Sequence, residues 1–155
     1  MPKISAGILL YRLNNSDPEV LLVHPGGPFW VKKNMGSWSI PKGEIEPEED
    51  LLEAAIRETK EETGIKSKGK FIALSPLKQK SGKIIHAWAL QGNFDPLDLK
   101  SNSFEMIWPP KSGKNNVFPE IDKAAWFPLK EAKLRIVPGQ IPFITELENL
   151  VNRWR

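Results

Sequence analysis

Residues 43–65 read GEIEPEEDLLEAAIRETKEETGI, and nine of the chain's nineteen acidic side chains lie in this run, between Glu44 and Glu62. Only Arg57 and Lys60 oppose them, which leaves the run at −7 in a chain of formal net charge +3, so the remaining residues carry +10. A concentrated acidic device is set into a basic protein. Pro47 followed by Glu48, Glu49 and Asp50 has the make-up of a helix entrance, with carboxylates facing the positive end of the dipole, and Gly64 that of a stop. The spacing predicts a helix over 48–63. At about 100° per residue, Leu52, Ala55, Ile56, Thr59 and Thr63 gather on one arc and Glu58, Glu61 and Glu62 on another. Like charges three and four residues apart destabilise a helix by about 0.2–0.5 kcal/mol per pair, and more where water is excluded. Such a cluster is either a solvated acidic face or is relieved by a cation. Three hard oxygen donors, with two histidines and no cysteine in the chain, suit Mg²⁺ or Mn²⁺ better than zinc.

The spacing decides between these readings. The run fits G-x5-E-x7-R-E-U-x-E-E-x-G-U through Gly43, Glu49, Arg57, Glu58, Glu61, Glu62 and Gly64, with Ile65 at the last aliphatic position. Seven fixed residues, each about 6–7% common, coincide by chance on the order of 10⁻⁸ times per starting position. One position departs: Thr59 stands where the pattern asks for a large aliphatic residue, and its β-branched side chain can still pack there. In this run the chain resembles the Nudix hydrolases, which cleave a nucleoside diphosphate linked to another group with the help of a divalent metal. The resemblance implies an α/β (α+β) fold, an α/β/α sandwich with a mixed central sheet, over nearly the whole chain. It also implies a reaction, hydrolysis of a pyrophosphate bond. By position, Glu58, Glu61 and Glu62 are the implied metal ligands, and the Lys42 carbonyl completes the shell. Arg57 braces the catalytic loop through Glu49. A further glutamate often comes from the loop before the last strand; Glu120 is the candidate, with Glu105 behind it. Which glutamate acts as base stays open.

At 155 residues and 40% hydrophobic content, the expectation is one domain spanning 1–155 with a real core. No run approaches the roughly 18 apolar residues of a membrane span, and the N-terminal MPKISAGILLYRL lacks a signal peptide's cleavage site. The absence of cysteine excludes disulfides and thiolate chemistry and fits a cytoplasmic protein. Strands are expected at 3–13 and 19–24 around a turn at 14–18, in the short SIPKG segment, at 69–79, 83–92 and 103–110, and at 124–127. A polar loop is expected at 111–117. Two C-terminal helices are expected, at 128–136 and 140–153, the second with Ile144, Leu147, Leu150, Val151 and Trp154 in a core stripe.

Residues 24–38, HPGGPFWVKKNMGSW, are too rich in Gly and Pro for a regular element, and a loop of that length is commonly functional. Trp30, Lys32 and Lys33 in it are candidate substrate contacts, an aromatic face for a base and ammonium groups for phosphates; Trp38 reads as core. His24 and His86 read as packed or rim histidines rather than catalytic ones. Lys42, directly before the box glycine, gives a Pro-Lys-Gly form similar to that of the diadenosine tetraphosphate hydrolases and some related bacterial enzymes. An ammonium there suits a long phosphate chain. The expected substrate is therefore a dinucleoside polyphosphate of four or more phosphates, with nucleoside triphosphates as the competing choice. Trp30 would stack one base and Trp108 would offer a second platform. A nucleotide sensor without activity on the same fold is the alternative, though such proteins typically lose a box glutamate. Nucleic acid is an improbable partner, because the lysines are dispersed and no RNA- or DNA-binding motif accompanies them.

Overall fold

The computed structural model describes residues 3–15 and 17–154. Its centre is β1 (Ile4–Asn14), whose residues 5–11 are all buried. A strand buried on both faces reads as a continuous apolar run, as SAGILLY does. β1 pairs antiparallel with β2 (Asp17–Pro25) through the register Asn14↔Asp17, with Asn15 at φ 51° in the turn; Ser16 of that expected turn lies outside the described residues. On its other edge β1 runs parallel to β6 (Ile84–Gln91), and β2 pairs antiparallel with β9 (Ile121–Pro128). The short β3 (Lys42–Glu44) pairs with β1. The sheet is thus mixed, as expected.

α1 (Leu51–Thr63) covers one face of this sheet, over a cluster that includes Ala6, Ile8, Leu21 and Val23. The helix starts three residues later than the sequence predicts. Asp50 is its N-cap, accepting from the Glu53 N–H at 3.1 Å, while Glu48 sits at φ 63° in the turn before it. The capping carboxylate, not Pro47, sets the start. Gly64 ends the helix in the left-handed conformation at φ 86°, its N–H on the Lys60 carbonyl at 2.7 Å. The buried face is Ala54, Ala55, Thr59 and Thr63, with Leu52 and Ile56 at its edge. Small side chains at the contact let the helix backbone approach β1 closely.

α2 (Leu129–Arg135) and α3 (Ile141–Trp154) cover the other face, completing the α/β/α sandwich. Of the expected stripe on α3, Ile144, Leu147 and Val151 are buried. Trp154 is half exposed and stacks on Tyr11; Phe143, fully buried, occupies the central place instead. Truncating Phe143 to Ala is expected to destabilise the fold by about 3–5 kcal/mol, read from the midpoint of urea unfolding.

Two expected elements differ. The strand at 69–79 is two short pieces, β4 (Ile72–Ala73) and β5 (Leu77–Lys78), both paired with β6. Pro76 between them cannot donate to a ladder. The polar loop at 111–117 is partly β8 (Asn115–Pro119), which pairs with β7 (Ser103–Ile107) as a separate hairpin. Its inner face carries Phe104 and Phe118, whose rings are 5.9 Å apart, and this contact outweighs the weak strand propensity of Asn115 and Asn116. Among the described residues no helix is long and apolar enough to cross a membrane.

Candidate active site

Two glycines set the close approaches here, Gly43 between β3 and α1 and Gly7 between β1 and the segment that enters β3. A Cβ on Gly43 would lie 1.9 Å from Glu58 Oε2, and one on Gly7 would lie 2.2 Å from the Pro41 carbonyl oxygen. Only glycine at position 43 lets the Glu58 carboxyl rest against the β3 backbone. One turn further along α1, Glu62 Oε1 accepts the Lys42 backbone N–H at 3.3 Å. Two of the three box carboxylates are thereby set against the strand that the motif begins on.

Arg57 organises the rest. Its Nε and Nη2 donate to the two oxygens of Glu49 at 2.8 and 2.9 Å, a bidentate pair, and Nη1 donates to Glu58 Oε1 at 2.8 Å and to Glu61 at 3.3 Å. Nη2 also reaches the Glu44 carbonyl at 3.3 Å. Glu49 accepts the Glu46 N–H at 2.9 Å as well. The Arg57 hydrogen bonds hold the Glu49 carboxyl down to about 2. Glu58 goes the other way: burial raises it above the usual carboxylate range, only partly offset by Arg57. Glu62 is pushed up to about 8, chiefly by burial, with the charges of Glu120 and Glu58 adding to the rise. The Lys42 ammonium is lowered by burial and then by the charge of Lys83. Carboxyls this poorly solvated and mutually repelling are short of positive charge.

A cavity of about 360 Å³ opens beside them, lined among others by Trp30, Lys42, Glu62, Gln79, Glu120 and Gln140. Glu120 is pinned by its backbone, its N–H on the Asn102 carbonyl and its own carbonyl accepting from Gly26, both at 2.7 Å. Gln140 is buried; its Oε1 accepts the Ile40 N–H at 3.1 Å and its Nε2 donates to Ser39 Oγ at 3.0 Å.

The structure therefore gathers Lys42, Trp30, Glu62 and Glu120 at one cavity, with Arg57, Glu49, Glu58 and Glu61 in a network behind it. Glu61 is turned to Arg57, and among the described residues no three acidic or His side chains already converge as a metal cage. Lys32 and Lys33 do not line the cavity; the Lys33 ammonium lies over the Trp30 ring at 4.9 Å. Trp108 packs edge-on against Phe29 at 5.3 Å, and Glu105 accepts from Asn115 on the hairpin, away from the cavity. His24 is fully buried between Asp122 and the Lys33 carbonyl, and Trp38 is core, both as the sequence suggests. Gln79 and Gln140 are cavity residues that sequence reasoning missed. The signal for Gln140 was faint, a single polar residue just before α3.

A NUDIX domain profile matches residues 1–147. The chain belongs to the NUDIX family. Among curated relatives, the mouse bis(5'-nucleosyl)-tetraphosphatase [asymmetrical] is 39% identical over 59 residues, 38% of this chain and 36% of that protein. The RNA pyrophosphohydrolase of Erythrobacter litoralis is 54% identical over 33 residues, 21% of this chain and 20% of that one. Together with Nudix hydrolase 6 of Arabidopsis thaliana, matched over 21% of its length, these relatives are covered only to between a fifth and just over a third. Of solved structures, a C. elegans Ap4A hydrolase binary complex superposes with a TM-score of 0.58 at 24% identity, covering 97% of this chain and 94% of that one. The NUDIX domain of Shewanella oneidensis NrtR complexed with ADP ribose does so at 0.66 and 14%, covering 97% and 89%. At these identities the likeness establishes the shared fold.

Proposed function

We propose that this chain is a metal-dependent pyrophosphohydrolase that prefers dinucleoside polyphosphates of four or more phosphates. The observation that carries the reading is the placing of Glu62 and Lys42, both withdrawn from water, on the wall of one cavity with Glu120 and Trp30. A charge-deficient carboxyl cluster and a desolvated ammonium side by side suit a cation and a phosphate chain in contact. Full retention of the box glutamates argues against a sensor without turnover.

The donor set fits a hard divalent cation such as Mg²⁺ or Mn²⁺, since Glu58, Glu61 and Glu62 all bring carboxylate oxygens and two of these carboxyls are held in a state that a cation would relieve. Glu58, Glu61, Glu62 and the Lys42 carbonyl would hold it. When bound, such an ion neutralises phosphate charge and acidifies water. The chain's own residues do the rest. Lys42 holds the phosphate chain, Trp30 covers one base, and Gln79 offers an amide to that base's edge, while the Gln140 amide holds Ser39 and Ile40 in the cavity wall. Glu120 faces the same cavity and takes the proton of the attacking water, while Arg57, fixed by Glu49, keeps Glu58 and Glu61 in line. Alignment and charge placement supply most of the rate in such reactions.

The substrate reading is checked by specificity constants. kcat/KM for diadenosine tetraphosphate is expected to exceed those for ATP and 8-oxo-dGTP by about tenfold or more, a difference of about 1.4 kcal/mol. A preference for either mononucleotide would sink it. The resemblance of the Pro-Lys-Gly segment and the matched tetraphosphatase relatives support the choice.

A further inference from the structure

A second cavity, about 660 Å³, opens farther along β3 and is lined by Lys3, Glu44, Lys78, Ser81, Lys83 and Ile84. Apart from Glu44, at an unfixed position of the box, its lining lies outside the motif. Three ammonium groups meet a single carboxylate there, and that carboxylate is only loosely paired, Lys3 Nζ standing 3.8 Å from Glu44 with both side chains exposed. Among the described residues Lys78 and Lys83 have no ion-pair partner. Lysines crowded together without carboxylates repel one another, and an anion relieves them.

The two cavities are joined by shared elements. β3 gives Lys42 to the first and Glu44 to the second, and the segment at the end of β5 gives Gln79 to the first and Lys78 to the second. β1 holds the two walls side by side, Ser5 pairing with Glu44 of β3 and Ile4 with Ile84, next to Lys83, at the start of β6. The turn that carries Lys83 is built locally: the Gly82 N–H donates to the Gln79 carbonyl at 2.9 Å, the Gln79 N–H to the Lys83 carbonyl at 2.7 Å, and Gly82 adopts φ 90°. The Ile84 N–H then binds the Lys3 carbonyl at 2.9 Å, which fixes Lys3 beside Lys83.

We infer that the Lys3–Lys78–Lys83 cavity is a polyanion subsite that receives the distal phosphates of an extended substrate, and so sets the preferred phosphate-chain length. This rests on the pyrophosphohydrolase reading, which places the scissile bond at Lys42 and Glu62. A tail leaving that point meets Lys83 and then Lys78, with Glu44 releasing Lys3 as the anion arrives.

The test uses the full chain and the double variant Lys78→Gln/Lys83→Gln, with Lys78→Arg/Lys83→Arg as the charge-keeping control. KM for diadenosine tetraphosphate is expected to rise about tenfold in the glutamine variant at unchanged kcat, while KM for ATP moves less than about twofold and the arginine variant behaves as wild type. Calorimetric titration with inorganic tripolyphosphate reads the subsite without turnover, and its affinity is expected to fall about tenfold in the glutamine variant alone. An equal rise in KM for both nucleotides would reduce the lysines to a general attracting field and overturn the subsite. So would unchanged tripolyphosphate affinity in a variant whose melting temperature matches wild type. If no nucleotide is turned over by wild type but the tripolyphosphate difference persists, the subsite stands and the hydrolase reading falls.

Discussion

Glu62→Gln is expected to lower kcat on the order of 10³-fold while the protein stays folded, because it removes a charge that the cavity solvates poorly and that a cation needs. The same variant has a signature in stability. With Glu62 pushed up to about 8 from an ordinary 4.5, the folded chain keeps a proton there that the unfolded chain releases through that interval. The contribution is therefore full below about 4.5 and is lost as pH rises toward about 8. In EDTA, the melting temperature of the wild type should fall between pH 5 and pH 8, and Glu62→Gln should lack that part of the slope. Added Mg²⁺ should raise the wild-type melting temperature at pH 8 and leave the variant much less affected. Retained turnover in the variant, or indifference of the wild type to EDTA, would refute the role given to Glu62.

Arg57→Ala should act on kcat rather than on KM, with a fall of about 10²-fold in the first and less than about threefold in the second. The guanidinium touches Glu49, Glu58, Glu61 and the Glu44 carbonyl but does not line the cavity. It sets alignment. Arg57→Lys should rescue little, since a single ammonium cannot reproduce the two-point contact with Glu49. Steady-state kinetics on both variants decide the matter, and a large KM effect at constant kcat would move Arg57 onto the substrate.

The box and its fold were legible in the sequence because each fixed residue has a local reason to be where it is. Gly43 makes room for Glu58, Arg57 reaches back to Glu49, and Gly64 ends the helix. The layers were legible for a similar reason, in the continuous apolar run of β1 and the periodic stripe of α3. What escaped were features assembled from distant parts of the chain. Gln140 meets Ile40 across 100 residues, and no local pattern marks it. Lys78 and Lys83 come from one hairpin and Lys3 from the far end of the chain, and singly each looks like any solvated lysine. The start of α1 was misplaced because Pro47 and Asp50 are both good openings, and only the observed cap chooses between them. For β8, the polar composition of KSGKNNV outweighed, on paper, a pairing that depends on Phe104 across the hairpin.

The 26–37 loop has a consequence for the entropy of substrate capture. Its two ends are tied down, at Gly26 to Glu120 and at the far side by Gly36 to Leu134, Trp38 to Arg135, and the buried His24 to the Lys33 carbonyl. The apex at 27–32, which carries Trp30, is tied chiefly to itself, the Trp30 N–H on the Gly27 carbonyl and the Lys33 N–H on the Trp30 carbonyl, and is the part with fewest ties to the sheet. Fixing a residue's backbone costs about 1–2 kcal/mol. Ordering a twelve-residue strap over each incoming nucleotide would thus consume much of the binding energy. Here half of the strap is ordered during folding, so the encounter with substrate has to still only the short apex.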